Sequence, residues 1–332
     1  MAALSLIAGA PGPGTAADKL TVAVNKFASG APLYIAQAKG YFREEGFEVT
    51  FLHSTSAQTL GLAIASGDAA LGLTALTAGI YTLADKGGLK MVAGGLEERP
   101  GYKVNAIVVN QAVFNRGVRS LPDFVGLRIG ASQVGSPQEN QWARIARKFG
   151  FKYSDLQIIP LQTIPNILSS LRGGQVDAAA LPATLALQLQ RSGGAHIIAW
   201  MGDVVPSQFG VITVNASVMR RDPDTVVRFL RVYLKAIAYY DRAFQQPGPD
   251  ARPVKGSDHA EALQIIASYL EQPTDQVEAG LSYFNPDATL SINDLDEQIE
   301  VWKSLKQVSP AMSSQNLVET ALLQKAKATT RR

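Results

Sequence analysis

The sequence contains no cysteine and only three histidines. The first absence excludes disulfides, thiolate metal sites, thiol nucleophiles and a lipid-modified cysteine as a membrane anchor. His53, His196 and His259 lie too far apart in sequence to show metal-ligand spacing. His53 stands against a polar loop and is the histidine nearest a candidate site, whereas His196 opens an apolar strand where a structural role is expected. A basic stripe with interleaved aromatics is also missing. With a formal net charge of only +3 over 332 residues, nucleic acid is not an expected partner. Catalytic motifs are equally scarce: there is no G-x-S-x-G elbow, no H-E-x-x-H and no G-x-x-x-x-G-K-[ST] loop. Gly12 to Ala17 imitates a dinucleotide fingerprint, but prolines interrupt it and no strand precedes it. No cofactor and no metal are expected.

Long apolar runs are missing as well. Ala2 to Ala10 is apolar but too short to span a bilayer. Thr15-Ala16-Ala17 then places small residues ahead of Asp18, as a signal-peptidase site does, although no Lys or Arg precedes Lys19. Residues 1–17 therefore read as a secretory signal lacking its basic start, or as a disordered tail. What remains is ordinary for a globular protein, 46% hydrophobic and 18% charged, and long enough for two compact domains.

Val22 to Gln58 organises the chain as strand, polar loop, helix, glycine stop, strand and second polar loop. Thr21 to Val24 is β-branched and alternating, Pro32 suits the first turn of a helix, and Gly40 and Gly46 break the helical stretch after it. Strands are then expected at Phe47–Leu52, Ala69–Leu73 and Lys90–Ala93, with helices at Gln58–Ala65 and around Ile80–Ala84. The pattern begins again with strands at Leu127–Ala131, Leu156–Ile159 and Val176–Ala180, each followed by a polar loop and a helix. SGDAALGLTAL (Ser66–Leu76) echoes GQVDAAALPAT (Gly174–Thr184). The fold class expected is α/β, two doubly wound lobes joined by two crossing strands, with a helical C-terminal extension. Asn105–Val109 and Phe209–Asn215 are the expected crossings. Lobe 1 is then residues 18–107 and 212–332, and lobe 2 is residues 108–211.

Four blocks in this order carry a resemblance. APLYIAQAKGYFREEGFEV, SGDAALGL, LPDFVGLRIGAS and GGQVDAAALPAT resemble the nitrate/sulfonate/taurine-type periplasmic solute-binding proteins of ABC import systems. That group includes relatives of the thiamine-pyrimidine binding proteins, and the resemblance runs from about Lys19 to Leu305. It implies a type II periplasmic binding protein-like fold and a monomer that closes on a small ligand, without catalysis. A membrane permease and its ATPase would be the partners. Many relatives carry an acidic residue where Leu181 precedes Pro182 here, so no carboxylate reaches the ligand from that point. Same-fold enzymes of menaquinone-pathway or pyrimidine-precursor type remain an alternative. The fungal pyrimidine-precursor synthases use a cysteine-rich iron motif that this chain cannot supply.

The loops after the strands supply the candidate ligand contacts. Lobe 1 offers Asn25, Lys26, Phe27 and Ser29, then Ser54, Thr55, Ser56 and Gln58, then Thr74 and Thr77. Lobe 2 offers Ser132, Gln133, Gly135 and Ser136, then Gln162 and Thr163, then Thr184; Trp200, and Tyr102 from lobe 1, are aromatic edges that stack on a ligand or pack in the core. Helix starts carry unpaired N–H groups and partial positive charge, so these loops favour a small organic anion, a sulfonate or a carboxylate, with room for an aromatic one. The same Ser and Thr residues also serve as ordinary N-caps. Glu97, Glu98 and Asp203 are the exceptions, available to receive an amine, and a neutral or cationic ligand such as a pyrimidine stays open on their account.

Overall fold

A computed structural model describes residues 17–248 and 253–330. The signal or tail expected at residues 1–17 lies, apart from Ala17, outside the described residues. The chain opens with β1 (Asp18–Val24), α1 (Ala31–Ala38), α2 (Tyr41–Glu44), β2 (Phe47–His53), α3 (Ala57–Ser66), β3 (Leu71–Ala75), α4 (Ala78–Asp85) and β4 (Leu89–Gly94). A short β5 (Leu96–Glu98) then leads to β6 (Asn105–Asn110), α5 (Gln111–Asn115), β7 (Arg128–Ala131), α6 (Pro137–Phe149), β8 (Gln157–Pro160) and α7 (Ile164–Arg172). After them come β9 (Ala178–Pro182), α8 (Ala183–Arg191), β10 (Ala195–Trp200) and α9 (Met201–Val204). The return runs through β11 (Ser207–Gln208) to β12 (Gly210–Asn215), α10 (Ala216–Arg221) and α11 (Pro223–Phe244). The rest is β13 (Gln246–Pro247), β14 (Pro253–Val254), α12 (His259–Leu270), α13 (Thr274–Glu278), β15 (Tyr283–Phe284), α14 (Ile292–Ser304) and α15 (Ala321–Thr330).

Two five-stranded sheets share one topology. The first runs β2-β1-β3-β12-β4 and the second β8-β7-β9-β6-β10. In each, the fourth strand is antiparallel to both neighbours while the first three are mutually parallel. The echo between Ser66–Leu76 and Gly174–Thr184 is thus structural: β3 and β9 hold the same central place. Both faces of each sheet are covered. Leu20, Val22 and Val24 point to one apolar cluster with Phe229 and Tyr233 of α11, and Ala23 points to the other with Ile299 and Trp302 of α14. In the second sheet Ile107 and Val109 pack with Trp142, whereas Ala106 and Val108 pack with Ile167. The C-terminal extension therefore completes both layers of the first lobe.

One expectation is corrected. Asn105–Val109 and Phe209–Asn215 do not cross between the lobes; the first lies within β6 and the second is β12 with the half-buried Phe209 before it, and both strands are buried along their whole length inside one sheet each. The expected boundaries at 107/108 and 211/212 cut through these two strands. The crossings are β5 and β11, which pair antiparallel (Ser207 with Glu98, Gln208 with Glu97), and β15 joins β5 on its other edge. A strand without a helix before it reads as a linker in sequence. Its continuous apolar run is what a central strand with both faces covered requires.

Candidate ligand-binding cleft

Loops at the carboxyl ends of parallel strands carry the sites of open α/β sheets. Here those ends face one another. The 3-10 turn Ala28–Gly30 that runs into α1, together with α3 and α4, begins on the first lobe's side of the cleft, and α6, α7 and α8 begin on the second's, so six helix N-termini line one cavity. Four are capped by residues chosen from sequence. Ser56 Oγ accepts from Thr59 N–H at 3.3 Å, Thr77 Oγ1 from Ile80 N–H at 3.1 Å, Ser136 Oγ from Glu139 N–H at 3.4 Å and Thr163 Oγ1 from Asn166 N–H at 3.3 Å. α1 and α8 have no side-chain cap. A cap takes one N–H of the first turn and leaves others unpaired within the helix.

The cavity holds about 1200 Å³, its open mouth included. Asn25, Phe27, Ser29, Thr55, Ser56, Thr74, Thr77, Ser132, Gln133, Ser136 and Gln162 all line it, together with Thr163 and Thr184. Among the described residues no Lys, Arg, His, Asp or Glu lines it. The cleft is uncharged in its side chains, and its electrostatics are those of amides, hydroxyls and helix ends. Asn25 Nδ2 is held by the Ser54 carbonyl at 2.6 Å, and Asn105 Nδ2 by Glu98 Oε1 at 2.7 Å. Gln162 sits at φ 68°, a left-handed backbone that costs a non-glycine residue about 1 kcal/mol, in the loop before α7.

Other predicted residues lie elsewhere. Lys26 turns outward to Glu271 at 2.6 Å. Ser54 accepts from Ser56 N–H, and Gln58 accepts from Thr77 Oγ1, so both support the wall from behind. Gly135 does not line the cavity; its carbonyl accepts from Ala78 N–H at 2.9 Å and joins the lobes. Trp200 packs beside the second lobe's core with Lys103 over its ring, and Tyr102 packs edge-on against Tyr283. His53 Nδ1 lies 3.2 Å from the Val24 carbonyl, outside the lining. None of Glu97, Glu98 and Asp203 lines the cleft, which removes the carboxylates offered for an amine. Glu98 is buried, and burial pushes its carboxyl up to about 8 against the lowering effect of the Asn105 hydrogen bonds.

Sequence reasoning missed two groups of lining residues. Leu96, Val104, Asn105 and Phe209 come from the crossings and the strands they feed; Leu270, Gln272, Gly280 and Ser282 come from the ends of α12 and α13. The first group had a signal, since chains that pass between two lobes must pass the cleft. The second had none, because only the folded extension brings it there.

The sequence matches the family described as NMT1/THI5 like over residues 28–248. It is 31% identical over 148 residues to the 4-amino-5-hydroxymethyl-2-methylpyrimidine phosphate synthase of Schizosaccharomyces pombe, an alignment covering 44% of this chain and 39% of the synthase. The chain thus spans about two fifths of that relative's length. It is 27% identical over 252 residues to a Bacillus subtilis protein named for binding aliphatic sulfonates, covering 72% of each. Among solved structures, the periplasmic aliphatic sulphonate binding protein SsuA from Escherichia coli superposes with a TM-score of 0.72 at 15% identity, covering 91% of this chain and 92% of that one. That likeness establishes a periplasmic binding protein fold.

Proposed function

The chain belongs to the NMT1/THI5-like family, and on that premise we propose that it is the substrate-binding component of an ABC import system that captures a small organic anion, a sulfonate or carboxylate. One observation carries this reading: six helix N-termini, three from each lobe, meet on a cleft without an ionisable side chain. An anion there is favoured by about 0.3–1 kcal/mol per helix end from the dipole. Each hydrogen bond to a charged acceptor adds about 1.5–3 kcal/mol. A few such bonds from both lobes reach the roughly 8 kcal/mol of micromolar affinity. The relatives named for sulfonates support the same class of ligand. The protein acts in the periplasm as a monomer, with a permease and an ATPase as partners. Among the described residues no helix is long and apolar enough to cross a membrane.

Catalysis is the weaker reading, although part of the chain aligns with a synthase. General acid–base or nucleophilic chemistry needs a titratable or nucleophilic group at the reacting atoms. Among the described residues the lining offers hydroxyls and amides but no ionisable side chain.

A thermal-shift screen with 1-butanesulfonate, benzoate, nitrate, an aliphatic amine and an unphosphorylated aminopyrimidine tests the proposal. At least one organic anion is expected to raise the melting temperature and to shrink the radius of gyration in solution scattering. Stabilisation by amines or pyrimidines alone would overturn the anion, and stabilisation without compaction would overturn the closure. Truncating Ser132 and Ser136 to Ala together is expected to weaken the anion at least tenfold.

A further inference from the structure

Glu98 lies on the crossing strand β5, 1% exposed, between the cleft and α6 of the second lobe. Its Oε1 accepts from Nδ2 of the cleft residue Asn105, itself 3% exposed. Among the described residues its Oε2 is buried without a partner, and burial outweighs the Asn105 and Gln141 amides, which favour the ionised carboxyl. The orientation of the Gln141 amide follows from its other neighbour. Ser207 Oγ donates its one hydrogen to the Val205 carbonyl at 3.2 Å, so toward Gln141 it only accepts. Gln141 Nε2, 3.4 Å away, donates one of its two hydrogens to Ser207. Glu98 Oε2 is left a buried carboxyl oxygen without a donor, and a hydrogen on it removes the charge that burial penalises.

We infer that Glu98 is a positioning residue that works as a neutral acid: its protonated oxygen is buried at the junction of the lobes while its other oxygen holds the Asn105 amide at the cleft wall. Ionising it does two things. It leaves a buried carboxylate oxygen without a donor at the junction of the lobes, and it places a negative charge behind the residue that faces the anion. Affinity for an anion therefore falls as this proton leaves.

Other charged groups surround it. Asp203 on α9 opposes ionisation of Glu98. Glu97 and Arg99 flank it on its own chain and alternate to the other side. β11 brings Ser207 and Gln208, and β15 brings Tyr283 opposite Glu97. Arg144 on α6 is engaged by Asp294 and Glu297. The cleft itself has no ionisable lining, and a sulfonate stays ionised throughout.

The inference rests on the anion reading above, and its test separates the two. Binding of 1-butanesulfonate is measured by calorimetry from pH 6.5 to 9.5 for wild type, Glu98→Gln and Glu98→Ala. With the carboxyl titrating at about 8, a site competent only when protonated loses about thirtyfold in affinity by pH 9.5. Glu98→Gln keeps an acceptor for Asn105 and carries no charge at any pH, so it is expected to bind within about threefold of wild type at pH 6.5 and to show no pH dependence. Glu98→Ala is expected to bind weakly at every pH. A flat wild-type profile, or a Glu98→Gln profile that follows wild type, would overturn the inference.

A second readout needs no ligand. The folded protein holds a proton that the unfolded chain has released above about pH 4.3. Wild-type stability should then fall relative to Glu98→Gln as pH rises from 5 to 8 and level off above. A constant difference in melting temperature would refute the role of the proton. Absence of sulfonate binding at all pH values would count against the anion, and the melting series would still decide Glu98.

Discussion

Arg144 offers the sharpest test of how the lobes are held together. Its side chain is 9% exposed in α6 and reaches out of the second lobe. Nη1 donates to Asp294 Oδ1 at 2.9 Å and Nη2 to Glu297 Oε2 at 2.6 Å, both on α14, which packs on the first lobe. The same Asp294 accepts from Gln208 N–H on the crossing strand at 2.8 Å and from Gln298 Nε2 at 2.7 Å. Replacing Arg144 by Met keeps most of the bulk and removes the charge. Losing one partner of a buried pair costs about 3–5 kcal/mol when the other charge is left uncompensated. Here Asp294 keeps two donors, and Glu297 keeps Arg147 and is 42% exposed. The expected loss is accordingly smaller, about 2–3 kcal/mol. Urea denaturation measures it, and a cycle with Asp294→Asn should give a coupling of about 1–3 kcal/mol. Arg147, 61% exposed, serves as the control. Its replacement by Met should cost under about 1 kcal/mol and vanish at high salt. An Arg144→Met protein within about 0.5 kcal/mol of wild type would refute the reasoning.

Three further substitutions probe the fold beneath the cleft. A Cβ on Gly72 would lie 2.2 Å from the Ala23 carbonyl oxygen, so Gly72→Ala must part β1 from β3; a loss of about 1–3 kcal/mol or more is expected in the urea midpoint. Thr77→Ala removes the cap of α4 and the partner of Gln58, for a loss of about 1 kcal/mol that Thr77→Ser largely restores in thermal melts. Asp177 accepts three hydrogen bonds from Arg128 at 2.9–3.0 Å, which outweigh the effect of its burial and hold its carboxyl below the usual range. That stability is present above about pH 4 and is lost as pH falls through the lowered folded value, so the deficit of Asp177→Asn should shrink in acid. The matching Asp68 is exposed and among the described residues bonds only Ser66, and Asp68→Asn should change stability by less than about 0.5 kcal/mol.

The contrast between Asp68 and Asp177 shows what the sequence could convey. Both sit at the same place in the repeat, at the start of the strands expected over Ala69–Leu73 and Val176–Ala180. Each instead precedes its strand, which begins at Leu71 and at Ala178. Local pattern found the echo; only the Arg128 neighbour separates a clamp from a surface residue. Cap logic located Ser56, Thr77, Ser136 and Thr163 because a helix start dictates its own residue types. Lys26 stood between two lining residues, Asn25 and Phe27, yet it faces the other way, toward a glutamate 245 residues on. Asn105 was hidden inside a strand read as a crossing. Leu270, Gln272, Gly280 and Ser282 reach the cleft only because α11 and α12 pack on α1, a long-range event with no local signature.

The division of the cleft between lobes bears on how the proposed capture and release would work. A lysine or arginine on one lobe would hold an anion nearly as well with the lobes apart, since its attraction needs no second partner. Such a ligand would gain little from closure, and equal affinity for two states shifts neither. Here the attraction is spread over helix ends, three on each side, whose fields fade within about one helical turn. An anion resting on α1, α3 and α4 alone meets half the donors. Bringing in α6, α7 and α8 adds the rest only when the lobes approach. Binding energy is then realised mainly in the closed form, which is what makes the ligand drive closure, and any force that parts the lobes removes half the site at once. The uncharged lining gives the binding reading its physical basis: a cleft that depends on both lobes together can take hold of a small anion and also let it go.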